Sequence, residues 1–348
     1  MTASLCAQSN SPAPWWNERF PGGRFSSSVD KELPLIRVLK NHFVDPDGKT
    51  VVFRGVSVAD PDKLERQGHW DTNLFTQVKS FGANLVRLPV HPAALRGRGA
   101  AEYFKLLDQA VDWCAEREMY VIIDWHSIGN LKTELFQSPM YDTTQKETFE
   151  FWRSTARHYR GNHTVAFYEL FNEPTLFRNQ LGPMSWSEWK KLNEDMILLI
   201  RAFDTEKIPL VAGLDWAYDL TALNTDPIQA EGIGYVTHPY ANKRSKPWEG
   251  KWEEDYGFAA DKYPMIATEI GFGQRSPAPL KPDDYGNAIV NYLEKKGISW
   301  TAWCFDPEWG PTLLKNWNYE LTGSGAFFKE AIQSHTATTN AAAPPSAP

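Results

Sequence analysis

The sequence predicts an α/β fold: a (β/α)8 TIM barrel in one domain with a short N-terminal extension. Three observations predict it. Eight short runs rich in β-branched and aromatic residues recur from Val51 onward. Amphipathic helical stretches separate them. The first run leads into Ser57-Val58-Ala59-Asp60-Pro61, without the Gly-rich phosphate loop that an open doubly wound sheet carries there. Near-continuous apolarity fits strands covered on both faces, and eight such runs alternating with helices fit a closed barrel.

Taken in order, residues 1–34 form the extension, Pro/Ser-rich at first and partly irregular. Ile36–Val44, followed by Asp45-Pro46-Asp47-Gly48, reads as a small hairpin closing the barrel bottom. Strands are expected at Val51–Val58, Asn84–Val90, Tyr120–Asp124, Ala166–Phe171, Pro209–Gly213, Ile233–Thr237, Pro264–Thr268 and Ser299–Trp303. The first helix is expected at Thr72–Phe81, stopped by Gly82. In Ala101–Met119, Phe104, Leu107, Ala110, Val111 and Cys114 recur at helical spacing. Further helices are expected at Thr144–Tyr159, at Ser187–Phe203 opened by Ser187-Glu188, at Trp216–Ala230 and at Lys251–Lys262. Pro282–Lys296 stops at Gly297, and Gly325–Gln333 is the last. The barrel domain spans 35–333. Residues 334–348 are Thr/Ala/Pro-rich and read as a linker or disordered tail.

Composition narrows the function classes. The chain has 348 residues, 42% of them hydrophobic, enough for one large core. Net charge is -7 with lysine and arginine scattered, which argues against nucleic acid as a partner. No run approaches the roughly 18 apolar residues of a membrane span. Met1–Asn10 lacks the basic and apolar regions of a signal peptide. The three cysteines cannot make a disulfide framework; Cys114 and Cys304 are expected to be free and buried. There is no His-x-x-x-His or Cys-x-x-Cys, so neither a metal nor a cofactor is expected. Aromatics are abundant, with 15 Trp, 13 Tyr and 19 Phe; packing claims most of them, but Trp at this level exceeds what a core needs, and flat rings suit the C–H faces of sugars.

In such barrels the chemistry sits at the C-terminal strand ends. Two apolar runs lead into glutamates there: Asn172-Glu173-Pro174 after the fourth and Glu269 after the seventh. Paired carboxylates of this kind suit acid/base or nucleophilic work on a glycosidic bond. Glu169, earlier in the fourth run, reads as an exposed glutamate without such a role. The second strand carries Arg87, then His91; the third ends Asp124-Trp125-His126. The fifth ends Asp215-Trp216, the sixth His238-Pro239-Tyr240, and the eighth Trp303, with Asp306 beyond.

This ordered set resembles glycoside hydrolase family 5 over roughly residues 50–333. The family pattern of Arg, His, Asn-Glu, His, Tyr, Glu and Trp is matched by Arg87, His126, Asn172, Glu173, His238, Tyr240, Glu269 and Trp303. The insertion of Pro239 and the segment Cys304–Pro311 depart from it and leave the exact substrate open. The resemblance implies retaining hydrolysis of a β-linked polysaccharide, with Glu269 as nucleophile and Glu173 as acid, then base. Arg87 and Tyr240 would hold the charge of Glu269. Asn172 would bond the sugar 2-hydroxyl, His126 and His238 would hold hydroxyls or tune Glu173, and Trp303 would floor the sugar. Trp216, His91 and Trp309 are candidates for flanking subsites; Trp125, Trp248, Asp306 and His69-Trp70 are weaker ones.

The leading expectation is therefore an endo-β-1,4-glucanase, with a β-mannanase or a mixed-linkage or xyloglucan glucanase as the alternative. A non-catalytic binding barrel would not need both glutamates. A barrel enzyme for phosphorylated metabolites would need a glycine-rich cradle longer than Gly271-Phe272-Gly273. A polymeric substrate implies a secreted protein, extracellular or periplasmic, and a monomer is expected.

Overall fold

The structure, a computed structural model, describes residues 14–17, 20, 22–273 and 282–341. Eight parallel strands close into a barrel. They are β1 (Arg54–Val58), β2 (Leu85–Val90), β3 (Tyr120–Trp125) and β4 (Val165–Glu169). The second half is β5 (Ile208–Ala212), β6 (Gly234–Val236), β7 (Met265–Ile270) and β8 (Ser299–Phe305). β1 starts later than expected, at Arg54, and β8 runs past Trp303 through Cys304.

Strand alternation sorts the side chains. One face of each strand packs outward under the helices: Val86, Leu88, Val121, Ile123, Tyr168, Val211, Ala267 and Trp300 belong to that core. The inward face is apolar at the bottom, where Phe53, Leu85, Ile122, Phe167, Leu210, Val236 and Ile266 pack together. Further along, the same face turns polar: Arg87, Asp124, Glu169, His238 and Thr268 stand two residues beyond Leu85, Ile122, Phe167, Val236 and Ile266, and Ser57 stands four beyond Phe53, all six polar residues being fully buried. The barrel thus has an apolar floor and an ionic upper layer. Glu169 is not an exposed glutamate as expected; it lies in that layer, two residues beyond Phe167 on the same face.

The hairpin forms between Arg37–Leu39 and His42–Val44. It turns at Lys40-Asn41, with Lys40 at φ 56, while Asp45–Gly48 makes a second turn beyond it. Phe43 packs on Phe53 and Phe167 at ring distances of 5.9 and 5.1 Å, closing the barrel bottom as expected. The described part of the extension lies across two helices. Trp15 Nε1 donates to Glu147 at 2.9 Å, and the Phe20 ring sits 4.4 Å from that of Phe104.

The helices are α1 (Pro61–Arg66), α2 (Thr72–Ser80), α3 (Pro92–Arg98), α4 (Ala100–Glu116) and α5 (Gln145–His158). They continue as α6 (Trp186–Arg201), α7 (Glu249–Asp255), α8 (Pro282–Lys296) and α9 (Gly323–Ala341). α6 opens earlier than expected because Ser185, not Ser187, is the cap, paired with Glu188 in a capping box. No long helix forms over Trp216–Ala230. Asp215, Trp216 and Ala217 have φ of 57, 57 and 56°, left-handed values that stop propagation, so only Leu214–Ala217 and a 3-10 turn at Thr221–Asn224 form. The helix expected at Lys251–Lys262 ends at Asp255 and resumes as a 3-10 turn, Gly257–Asp261. There Gly257 passes the Tyr292 hydroxyl so closely that a Cβ would lie 1.7 Å from it. α9 runs past Gln333, and residues 334–341, expected in a disordered tail, continue it. Cys114 and Cys304 are free and buried, whereas Cys6 and residues 342–348 lie outside the described residues.

Gly55 is where β1 and β2 approach most closely: a Cβ there would fall 1.8 Å from the Leu85 carbonyl oxygen. A Gly55→Ala variant is expected to lose about 3 kcal/mol through forced strand displacement. Urea denaturation would register this as a lower midpoint at unchanged m-value.

Candidate active site

One guanidinium organises the ionic layer. Arg87 donates from Nε and Nη2 to the two oxygens of Glu169 at 2.7 and 2.9 Å. Nη1 donates to Glu269 Oε1 at 2.8 Å and to Ser57 Oγ at 3.3 Å. Nη2 also reaches Asn172 Oδ1 at 2.7 Å and Asp124 Oδ2 at 3.0 Å. Arg87 is fully buried, and a buried cation of this kind is tolerable only with partners on every side. Burial opposes its charge, but Asp124, Glu169 and Glu269 outweigh it and hold the arginine charged.

Glu269 stands at the end of β7 and Glu173 just past β4. Glu269 takes the Arg87 bond on Oε1 and a 2.8 Å bond from the Tyr240 hydroxyl on Oε2. Burial lifts its carboxyl above the usual value; His238 and Arg87 oppose this, and Glu173 adds to it. The charge of Glu269 therefore depends on those donors. Tyr240 stays a phenol, because burial and then the negative charges of Glu269 and Glu173 push its pKa well up.

His238 bridges the pair. Its Nδ1 lies 3.0 Å from Glu173 Oε1 and 3.8 Å from Glu269 Oε2. Its Nε2 lies 2.9 Å from Thr268 Oγ1. Burial pulls its pKa down, but Glu269, Glu169 and Glu173 together raise it to about 9. One donor atom each from Glu173, His238 and Glu269 fall within 4.8 Å of one another. Such a set is also compatible with a divalent cation. Here, however, all three are engaged by protein groups, and the Arg87 charge beside Glu269 opposes one.

Around the mouth, Trp303 lies parallel to the His126 ring at 5.3 Å, and Trp309 continues the line 6.3 Å further. His126 Nδ1 meets Asp124 Oδ2 at 2.6 Å. Burial, then His91, Arg87 and His238, hold His126 neutral. On the opposite side a cavity of about 520 Å³ is lined by Glu173, Trp216, Tyr240, Lys243 and Phe272. The left-handed turn after β5 projects Trp216 there, and the Lys243 ammonium lies 4.8 Å from its ring.

The structure thus brings together Arg87, His126, Asn172, Glu173, His238, Tyr240, Glu269 and Trp303, with Trp216 and Trp309 on two sides. His91 sits one layer back: its Nδ1 and backbone N–H meet Asp60 Oδ2 at 3.0 and 2.9 Å, and its ring lies under Trp309. Trp125 and Trp248 do not join the site. Trp125 is fully buried and donates to Thr148, and Trp248 packs on Trp252 and Tyr285. Asp306 is buried under Lys63 at 2.6 Å, and His69 stacks on Trp317. Sequence reasoning missed Glu169 and the role of Asp124. The two-residue period through Phe167 and Glu169, matching Leu85–Arg87 and Ile122–Asp124, was the available signal.

A family model for cellulase (glycosyl hydrolase family 5) matches residues 44–308. An endoglucanase of Clostridium saccharobutylicum is 25% identical over 329 residues, the match covering 89% of this chain and 67% of that protein. Endoglucanase A of Butyrivibrio fibrisolvens is 27% identical over 212 residues, covering 59% of this chain and 45% of that protein. A β-glucanase of Saccharophagus degradans, solved with cellotetraose, superposes with a TM-score of 0.87 at 44% identity, covering 92% of this chain and 99% of that one.

The raised pKa of His238 has a stability consequence. A group whose pKa rises from 6.5 to about 9 on folding contributes stability that is complete below pH 6.5 and lost as pH climbs through 9. The contribution is about 3 kcal/mol. Urea midpoints measured from pH 6 to 10 are expected to fall for the wild type and to fall less steeply for His238→Gln.

Proposed function

This chain belongs to the cellulase family, glycosyl hydrolase family 5, and on that footing we propose that it is a retaining endo-β-1,4-glucanase. The observation that carries the mechanism is the carboxylate spacing. The nearest oxygens of Glu173 and Glu269 lie within 4.8 Å, on the scale of the roughly 5–5.5 Å separation of a retaining pair and short of the roughly 6.5–9.5 Å of an inverting one.

In the first step the Glu269 carboxylate attacks the anomeric carbon. The glycosidic C–O bond breaks, and Glu173 passes its proton to the departing oxygen. In the second, Glu173 takes a proton from water, the resulting hydroxide attacks the same carbon, and the ester to Glu269 breaks. Arg87 and Tyr240 aim Glu269 and favour its charged form. Asn172 has its Oδ1 held by Arg87, while its buried Nδ2 has no partner among the described residues; it is a donor for the sugar 2-hydroxyl. Trp303 would stack on the sugar being cleaved, with Trp309 and Trp216 under neighbouring units. The glucan preference rests on the related β-glucanase and endoglucanases rather than on a contact that reads the 2-hydroxyl's orientation. Since such a polymer does not cross membranes, the reading extends to a monomer secreted to the periplasm or the cell exterior.

Reducing-sugar release from carboxymethyl cellulose, barley β-glucan, xyloglucan and β-mannan, run side by side, tests the substrate. Glucan hydrolysis is expected; preference for mannan would overturn the substrate and keep the mechanism. Glu269→Gln and Glu173→Gln should each lower turnover by about 1,000-fold or more with the fold intact by circular dichroism. Because burial raises the pKa of Glu269, the acid limb of kcat/KM is expected above the ordinary glutamate value of 4.5.

A further inference from the structure

Resting on the reading of Glu173 as general acid and base, we propose that Thr268 and Glu169 are positioning residues for that proton transfer. They hold His238 as a double donor that pins one oxygen of Glu173 and leaves the other to carry the proton.

The direction of the hydrogen bonds assigns the protons. Glu169 is bidentate to Arg87, and its carboxylate only accepts. The Thr268 hydroxyl, fully buried, therefore donates to Glu169 Oε1, at 3.0 Å. Its proton thus committed, it can only accept from His238, 2.9 Å away, so Nε2 carries a hydrogen. The other ring nitrogen, Nδ1, faces Glu173 Oε1 at 3.0 Å. Thr268 is itself fixed, because its backbone carbonyl accepts from the Thr301 hydroxyl on β8.

The charges around the ring favour protonation of Nδ1 as well. Three carboxyl groups face it: Glu169 from β4 at 3.7 Å, Glu173 at 3.0 Å and Glu269 from β7 at 3.8 Å. Arg87 and Asp124 stand behind Glu169, and Tyr240 on the same loop remains neutral. The upward shift of the His238 pKa has the same origin. With both N–H groups donating, Glu173 Oε1 is always an acceptor, whether Glu173 is acid or base. Oε2 has no partner among the described residues and is the oxygen that gives and regains the proton. The relay runs Glu169, Thr268, His238, Glu173, and links the buried anchor of Arg87 to the acid without touching substrate.

The test uses Thr268→Val, which exchanges the hydroxyl for a methyl group, and Thr268→Ser, which keeps it. kcat/KM is measured on aryl β-cellobiosides with a poor leaving group, phenol, and a good one, 2,4-dinitrophenol, which departs without proton assistance. Thr268→Val should lose about 10-fold or more on the phenyl substrate and stay within about 2-fold of wild type on the dinitrophenyl substrate. Its pH profile should move, because His238 loses the acceptor of its Nε2 proton. Thr268→Ser should restore both. If Thr268→Val fails to fold, Thr268→Ala carries the same comparison. Equal loss on both substrates, or wild-type rates with an unmoved pH profile, would overturn the relay. Glu173→Ala runs in parallel. If the dinitrophenyl substrate does not rescue it, the assignment of Glu173 fails. If rescue occurs but Thr268→Val shows no leaving-group dependence, the relay alone fails.

Discussion

The structure of the site depends on the Arg87 guanidinium. It lies in the barrel interior with no solvent exposure; its five N–H groups go to Glu169, which takes two, and to Glu269, Asn172 and Ser57, and Asp124 adds an ion pair at 3.0 Å. Removing one partner of a buried ion pair leaves the other uncompensated, at a cost of several kcal/mol. These side chains are therefore bound to one another as a unit. Only because Glu169 takes two of the donors are the remaining ones free for Glu269 and Asn172. A lysine offers a single point charge without the fork and would not hold this geometry.

The barrel makes such a cluster tolerable. Its floor is apolar and closed by Phe43 from the hairpin, so water does not reach the charges from beneath. Its outer face is covered by helices. The low dielectric strengthens each bond in the cluster and raises the cost of leaving any group unpaired. That is why burial is the largest influence on Arg87, Asp124, His126, His238 and Glu269 alike; neighbouring charges overturn it at Arg87 and His238, while burial prevails at Asp124, His126 and Glu269. Asp124 illustrates the balance: burial pushes its carboxyl well above the carboxylate range despite the Arg87 charge beside it.

Much of this was legible in the sequence because strands covered on both faces leave uninterrupted apolar runs, and the residues at the end of each run stand at the mouth. The eight strands and their terminal residues could be read in that way. Glu169 could not, because it sits within an apolar run and differs from its neighbours only in the direction it points. Reading Phe167 and Glu169 as one face would have placed it inward. The helix expected after β5 failed for another reason. Asp215, Trp216 and Ala217 adopt left-handed backbone without a glycine among them, a conformation imposed by tertiary packing that residue propensity does not announce. The Asp-Pro-Asp-Gly signal does mark a turn, pairing Val44 with Thr50, while the tighter reversal at Lys40-Asn41 carries no glycine to announce it.

That left-handed turn has a consequence for how the protein can change. Three successive residues with Cβ atoms held at positive φ store backbone strain of about 1–2 kcal/mol each. An Ala217→Gly change would relieve part of it at the cost of a fully buried methyl group, while loosening the mount of the Trp216 ring. Relief of backbone strain and a rigid mount for the Trp216 ring therefore pull this segment in opposite directions. The loop after β5 is a place where related barrels can diverge in tolerance and reach while the ionic layer beneath stays unaltered.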